Sequence, residues 1–167
     1  GLKKRGFEEG KNLVLDRQNA QADQSNLQNI GQRFVSNKSD LIYAIATPAA
    51  QTMASLTKDI PIVGSAITDY VGANLAASND APQGNVTGTS DMSPIREQID
   101  LLQKIYPNAK TIGTIYCSSE VNSEVQVKIM REYAESKGLK VETATISTVN
   151  DIQQAAQSLV NKVDVFY

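Results

Sequence analysis

Three stretches of the chain place hydroxyl, amide or acidic side chains where an apolar run ends. They are Ala46-Thr47-Pro48-Ala49-Ala50, Ser65-Ala66-Ile67-Thr68-Asp69, and Tyr116-Cys117-Ser118-Ser119-Glu120-Val121-Asn122-Ser123. In open α/β sheets ligands settle at the carboxyl ends of strands, where helix N-termini offer unpaired N–H groups and a positive dipole end. Small residues around Thr47 let an anion such as a carboxylate approach the N–H groups of Ala49 and Ala50. An ordinary N-cap explains the same residues. Thr68 and Asp69 end the next apolar run in the same manner and also read as a cap, but two such ends side by side in one sheet point further towards a ligand than either alone. Ser118, Ser119, Asn122 and Ser123 are suited to facing hydrogen bonds, with a polar loop capped by serine as the plain alternative.

The chemistry open to these groups is narrow. The 167 residues contain no His and a single Cys, which removes Ser-His and Cys-His nucleophiles, His-ligated metals, an internal disulfide and a cysteine metal cage. Cys117 sits between a strand and a helix, where a helix dipole lowers a thiol pKa, but it has neither a base nor the glycine spacing of a nucleophile elbow. Gly84-Asn85-Val86-Thr87-Gly88 lacks the Lys and spacing of a phosphate loop and the pattern of a dinucleotide fold. No enzyme activity, metal or cofactor is expected. Sixteen Lys and Arg against 18 Asp and Glu, with no basic run, give no footprint for nucleic acid.

The elements that position these groups alternate. Leu2 to Arg5 with Gly6 reads as a last helical turn, and Asn12 to Leu15 as a short strand. Asp23 caps a helix running to about Ser36, followed by the apolar run Leu41 to Ala46, of the kind buried on both faces of a parallel sheet. Thr47 as N-cap with Pro48 at the first helical position opens a helix to Leu56, and Pro61 to Ala66 is a strand. After a loose segment, Ala76 to Gly84, comes a short extended piece at Val86 to Thr89. Ser93-Pro94 then restarts the pattern, with Ile95, Ile99, Leu102, Ile105 and Tyr106 as one apolar stripe. Strands at Thr111 to Tyr116, Lys140 to Thr145 and Val163 to Tyr167 alternate with helices from Ser119 or Glu120 to Gly138 and from Asn150-Asp151, the last facing Ile152, Ala155, Ala156 and Leu159 inward. With 41% hydrophobic residues, this alternation predicts an α/β protein of two doubly wound parallel-sheet lobes, residues 1–90 forming part of the first and 91–167 the first part of the second. Ser90 and Asp91 fall at the crossing, where a hinge beside a cleft is expected.

Asn37-Lys38-Ser39-Asp40-Leu41-Ile42-Tyr43 matches Asn161-Lys162-Val163-Asp164-Val165-Phe166-Tyr167 at four positions, the mark either of two copies of one architecture or of shared helix-to-strand grammar. Several runs resemble the tryptophan/tyrosine-type group of ABC transporter substrate-binding proteins. They are Asn19 to Leu27, Ala44 to Gln51, Lys58 to Val63, Gly84 to Gly88 with Ser90-Asp91-Met92, and Asp151 to Ala156, so that the likeness spans essentially the whole chain.

The resemblance implies a type I periplasmic-binding-protein-like fold, incomplete at both ends, in which two lobes close on a small ligand. It implies an amino acid, aromatic in this group, delivered to an ABC permease by a periplasmic protein or a cell-surface lipoprotein whose lipid anchor lies outside this chain. It also assigns Thr47, Ala49, Thr68 and Asp69 to the ligand wall of lobe 1 and Ser118, Ser119, Asn122 and Ser123 to that of lobe 2. A ligand-sensing regulatory domain on the same fold is the alternative. Full members of the group carry a central first strand before Gly1 and continue beyond Tyr167, and one wall of a clamp cannot desolvate a zwitterion from both sides. The 167-residue chain alone is therefore expected to bind amino acids weakly or not at all. Calorimetry with the twenty amino acids on this chain and on the full-length protein checks this, and micromolar binding by the chain alone would contradict it.

Overall fold

The Asp23 carboxylate accepts the Asn26 N–H at 2.8 Å and so opens the first long helix, α1 (Gln24–Ser36), in the computed structural model, which describes residues 1–167. A 3₁₀ turn, Leu2–Arg5, precedes it and ends at Gly6 with φ 86°, as the glycine predicts. The chain continues as β1 (Ile42–Ile45), α2 (Thr47–Leu56), β2 (Ile62–Ile67), β3 (Val86–Ser90), α3 (Ile95–Ile105), β4 (Thr111–Cys117), α4 (Val121–Ser136), β5 (Lys140–Ile146), α5 (Ile152–Leu159) and β6 (Val165–Phe166).

Both sheets are parallel, as the alternation predicts. The first has the order β1-β2-β3 and the second β5-β4-β6. Each carries its own core. Ile42, Ala44, Ala50, Met53, Ile62, Ile67 and Val86 pack together under the first sheet. Ile95, Ile99 and Leu102 of α3 pack with Ile112, Met130, Ala134 and Val141 of the second. No helix is long and apolar enough to cross a membrane.

Several local expectations are corrected. Asn12 to Leu15 is not a strand: it finds no neighbouring strand to complete a ladder, makes one isolated bridge from Glu9 to Leu13, and leaves Val14 almost fully exposed. The run Leu41 to Ala46 is not buried on both faces. β1 is an edge strand whose inward residues Ile42 and Ala44 are buried while Leu41, Tyr43 and Ile45 are exposed. The α3 stripe stops at Leu102, because Ile105 and Tyr106 point away from the second core. Ile152 is likewise exposed, since the helix opens with a 3₁₀ turn, Val149–Asp151, closed by a Thr148–Asp151 capping box that turns its first residue outward. Val163 to Tyr167 contributes only the two-residue β6, anchored by Asp164, whose carboxylate accepts the Lys110 and Thr111 N–H groups at 2.7 and 2.9 Å.

On the second unit's surface, Tyr133 of α4 donates to the Asp100 carboxylate of α3 at 3.0 Å, and Lys137 pairs with the same carboxylate at 3.0 Å. Arg96 and Lys137 lie over the Tyr133 ring at 5.7 and 5.0 Å, joining α3 to α4. Lys137, then Tyr133, hold the Asp100 carboxyl below the usual carboxylate range.

The β2–β3 pair is irregular where it approaches the site. Its register shifts between Gly64 and Ile67, and Ala66 there has φ 54°. The buried Tyr70 phenol closes over the gap, donating to the Gly64 carbonyl at 3.0 Å and the Thr89 carbonyl at 3.3 Å. Burial pushes this phenol's pKa up, so it stays a donor. Gly88, with φ 155°, makes this possible: a Cβ there would stand 2.0 Å from the Gly64 carbonyl oxygen and 2.3 Å from the Tyr70 hydroxyl. Gly88→Ala in the full-length protein is expected to destabilise it by about 1 to 3 kcal/mol or more, because the nearest obstructing atom, the Gly64 carbonyl oxygen, is backbone. Urea denaturation measures this, and a loss under about 0.5 kcal/mol would mean that the strands part without strain.

Candidate ligand-binding site

The carboxyl ends of β1 and β2 lie side by side, with Ile45 opposite Ser65 and the Ala46 N–H donating to the Ser65 carbonyl at 3.0 Å. Ala46, and not Thr47, is the N-cap of α2; Thr47 is the first helical residue and Pro48 the second. The difference has a local cause. Ala46 is held at φ 78°, ψ 152°, a region that side chains other than glycine rarely enter, and this turns the chain so sharply that Thr47 is already helical. Such a conformation costs on the order of 1 to 3 kcal/mol and persists where surrounding structure enforces it, commonly at functional sites.

As a result the Thr47 hydroxyl caps nothing. Thr47 is only 2% exposed, and its Oγ1 is buried without a hydrogen-bond partner in the protein. A buried hydroxyl left unpaired costs about 1 to 3 kcal/mol. The Ala50 N–H, expected to be free, donates instead to the Ala46 carbonyl at 3.1 Å. Pro48 has no N–H, so the donors left without an acceptor in the first turn are those of Thr47 and Ala49.

At the end of β2, Thr68 is buried, and its carbonyl accepts the Ser90 hydroxyl at 2.8 Å. The Ile67 carbonyl accepts the Asp91 N–H at 3.0 Å, so both residues of the expected hinge are bonded to the strand end that carries Thr68. One carboxylate oxygen of Asp69 accepts the N–H groups of Val71 and Gly72, each at 3.0 Å, and its other oxygen has no hydrogen-bond partner within the protein. Gln51 of α2 donates to the Ala73 carbonyl at 3.0 Å and holds this turn against the helix.

In the second unit, Ser118 and Ser119 are exposed in the turn between β4 and α4, and Ser119 Oγ lies 3.1 Å from Cys117 Sγ. Asn122 and Ser123 are in the first turn of α4, whose N-cap is Glu120. Ser123 donates to the Glu120 carboxylate at 3.2 Å, whereas the Asn122 amide oxygen is buried and, like the Thr47 hydroxyl, unpaired. The two buried side-chain atoms without partners in the chain are therefore both on helix-opening turns that follow parallel strands. Periodicity gave no sign of Ala46, Ala66 or Tyr70, whose contributions are a backbone angle and a cross-strand bond.

A family model described as ABC transporter substrate binding protein matches residues 1–167. A tyrosine-binding protein of Clostridioides difficile (strain R20291) is 47% identical over 166 residues, 99% of this chain and 48% of that protein. Among solved structures, an ABC domain from Streptococcus pneumoniae in complex with L-Trp superposes with TM-score 0.94 at 42% identity, over 99% of this chain and 56% of that one. The ligand-free, open structure of a substrate-binding protein with adhesive properties from Clostridium difficile superposes with TM-score 0.66 at 47% identity, over the same shares. The chain thus spans about half the length of these relatives, and its paired parallel sheets are those of the type I periplasmic-binding-protein-like fold. With the match extending from Gly1 to Tyr167, the chain belongs to the ABC transporter substrate-binding protein family.

Proposed function

We propose that this chain supplies one wall of lobe 1, residues 1–90, and the opening part of lobe 2, residues 91–167, of the extracytoplasmic receptor of an ABC importer, and that the receptor binds an amino acid between them. The carrying observation is the buried, unpaired Thr47 hydroxyl at the N-terminus of α2. A zwitterion entering a cleft loses hydration, and its carboxylate needs fixed donors. The Thr47 hydroxyl, the N–H groups of Thr47 and Ala49 and the dipole of α2 supply them together. Thr68 stands alongside, and the unpaired oxygen of Asp69 suits the ligand's ammonium group. Asn122, Ser118, Ser119 and Ser123 face from lobe 2, and Ser90 and Asp91 act as the hinge.

The ligands named for the relatives, tyrosine and L-Trp, support an aromatic amino acid. Binding and release to an ABC permease, without turnover, is the function of this reading, so the chain is not an enzyme. The receptor is held at the cell surface by a lipid anchor or lies free in the periplasm.

Thr47→Val keeps the shape and removes a hydroxyl bond to a charged group. In the full-length protein it is expected to weaken binding of L-tyrosine or L-tryptophan by about 1.5 to 3 kcal/mol. The same change replaces an unpaired buried oxygen by a methyl group, so the thermal midpoint of the ligand-free protein is expected to hold or rise. Titration calorimetry and thermal unfolding check both, and an unchanged affinity would remove the hydroxyl contact.

A further inference from the structure

The turn after β2 does more than present Asp69. A Cβ placed on Gly72 would lie 2.6 Å from Asp69 Oδ2 and 3.4 Å from Val125 Cγ2. Val125 is on α4, one turn beyond Asn122, so Gly72 is where the turn carrying Asp69 meets the first turns of the second unit's helix. The glycine leaves room on two sides, for the acidic side chain on its own turn and for an apolar side chain of the second unit.

The arrangement in which they meet superposes with TM-score 0.94 on the structure holding L-Trp and 0.66 on the open, ligand-free structure, although the second is closer in sequence, 47% against 42% identity.

We propose that Gly72 is a positioning residue for ligand affinity: the approach of Val125 to Gly72 sets how closely lobe 2 comes to the Asp69 wall, and towards Val125 it leaves room for no more than a methyl group. This rests on the two-lobed receptor reading above. A side chain larger than a methyl group at Gly72 would prop the lobes apart and would also press on Asp69 Oδ2, so the closure effect is isolated by crowding the contact from Val125. Apparent affinity falls in proportion to the fraction of molecules able to close. A substituent there acts through that fraction.

The test uses the full-length protein with L-tryptophan and L-tyrosine as probes. Wild type, Gly72→Leu, Val125→Phe and the double variant Gly72→Ala/Val125→Ala are compared by calorimetry, stopped-flow dissociation and small-angle scattering with and without ligand. Gly72→Leu is expected to bind at least about tenfold more weakly, mainly through faster dissociation, and to compact less than wild type on adding ligand. Val125→Phe, which crowds the same contact from lobe 2 and leaves the Asp69 turn untouched, is expected to do the same. The double variant is expected to bind and compact more nearly like wild type than Gly72→Leu does. Wild-type affinity and compaction in both Gly72→Leu and Val125→Phe would overturn this inference alone. An effect confined to Gly72→Leu would also overturn it, reducing Gly72 to a local support for Asp69. Failure of the wild type to bind either amino acid would overturn the receptor reading and this inference with it.

Discussion

Parallel pairing is the constraint from which the rest of this structure follows. Because β1 with β2, and β4 with β5 and β6, run in the same direction, each strand after the first must be reached by a crossover, and every strand ends at the same edge of its sheet. The turns after Ile45, Ile67 and Cys117 are thus the positions where small polar side chains gather, the first and third of them beside helix N-termini. Nothing about Thr47 or Asn122 as residue types would draw attention elsewhere in the fold. Their place at these edges, with buried oxygens left unpaired, gives them chemical meaning.

Local cost is concentrated at the same edge. Ala46 and Ala66 hold positive φ angles at the ends of neighbouring strands, and the β2–β3 register slips beside the second of them. The interior of the first core, by contrast, is an ordinary packing of Ile42, Ile62, Ile67, Met53 and Val86. Tyr70, Gly88 and Ser90 reconcile the two regions. The phenol bonds across the slipped strands, the glycine lets it reach them, and the Ser90 hydroxyl fixes the carbonyl of Thr68. The strained edge is held in place by bonds a few residues away from it, which is how a rigid scaffold sustains a conformation that no isolated turn would adopt.

Most of the architecture was legible from periodicity and punctuation. Asp23, Gly6 and Gly138 stand at the boundaries their chemistry implies, and the apolar runs at Ile42, Ile62, Thr111 and Lys140 are strands. Where the reading departed, a partner or a dihedral angle decided the outcome. Asn12 to Leu15 has the composition of a strand but no ladder to join. Tyr43 and Ile45 look like core and are exposed, because a run of apolar residues does not say whether both faces are covered. Thr47 followed by Pro48 carries the pattern of a cap, yet a left-handed Ala46 took that position and released the hydroxyl. The site was legible as three polar stretches; which oxygen lacks a partner depends on angles that residue types do not encode.

The exposed side of β1 bears on how this polypeptide behaves in a test tube. Its outer edge carries unpaired backbone N–H and C=O groups beside a row formed by Leu41, Tyr43 and Ile45, with neither a proline nor an inward-pointing lysine to blunt it. Apolar side chains next to an open hydrogen-bonding edge form a template for strand addition by another chain. Within these 167 residues, strand addition at this edge is the expected route of self-association, and a net charge of -2 offers little repulsion against it.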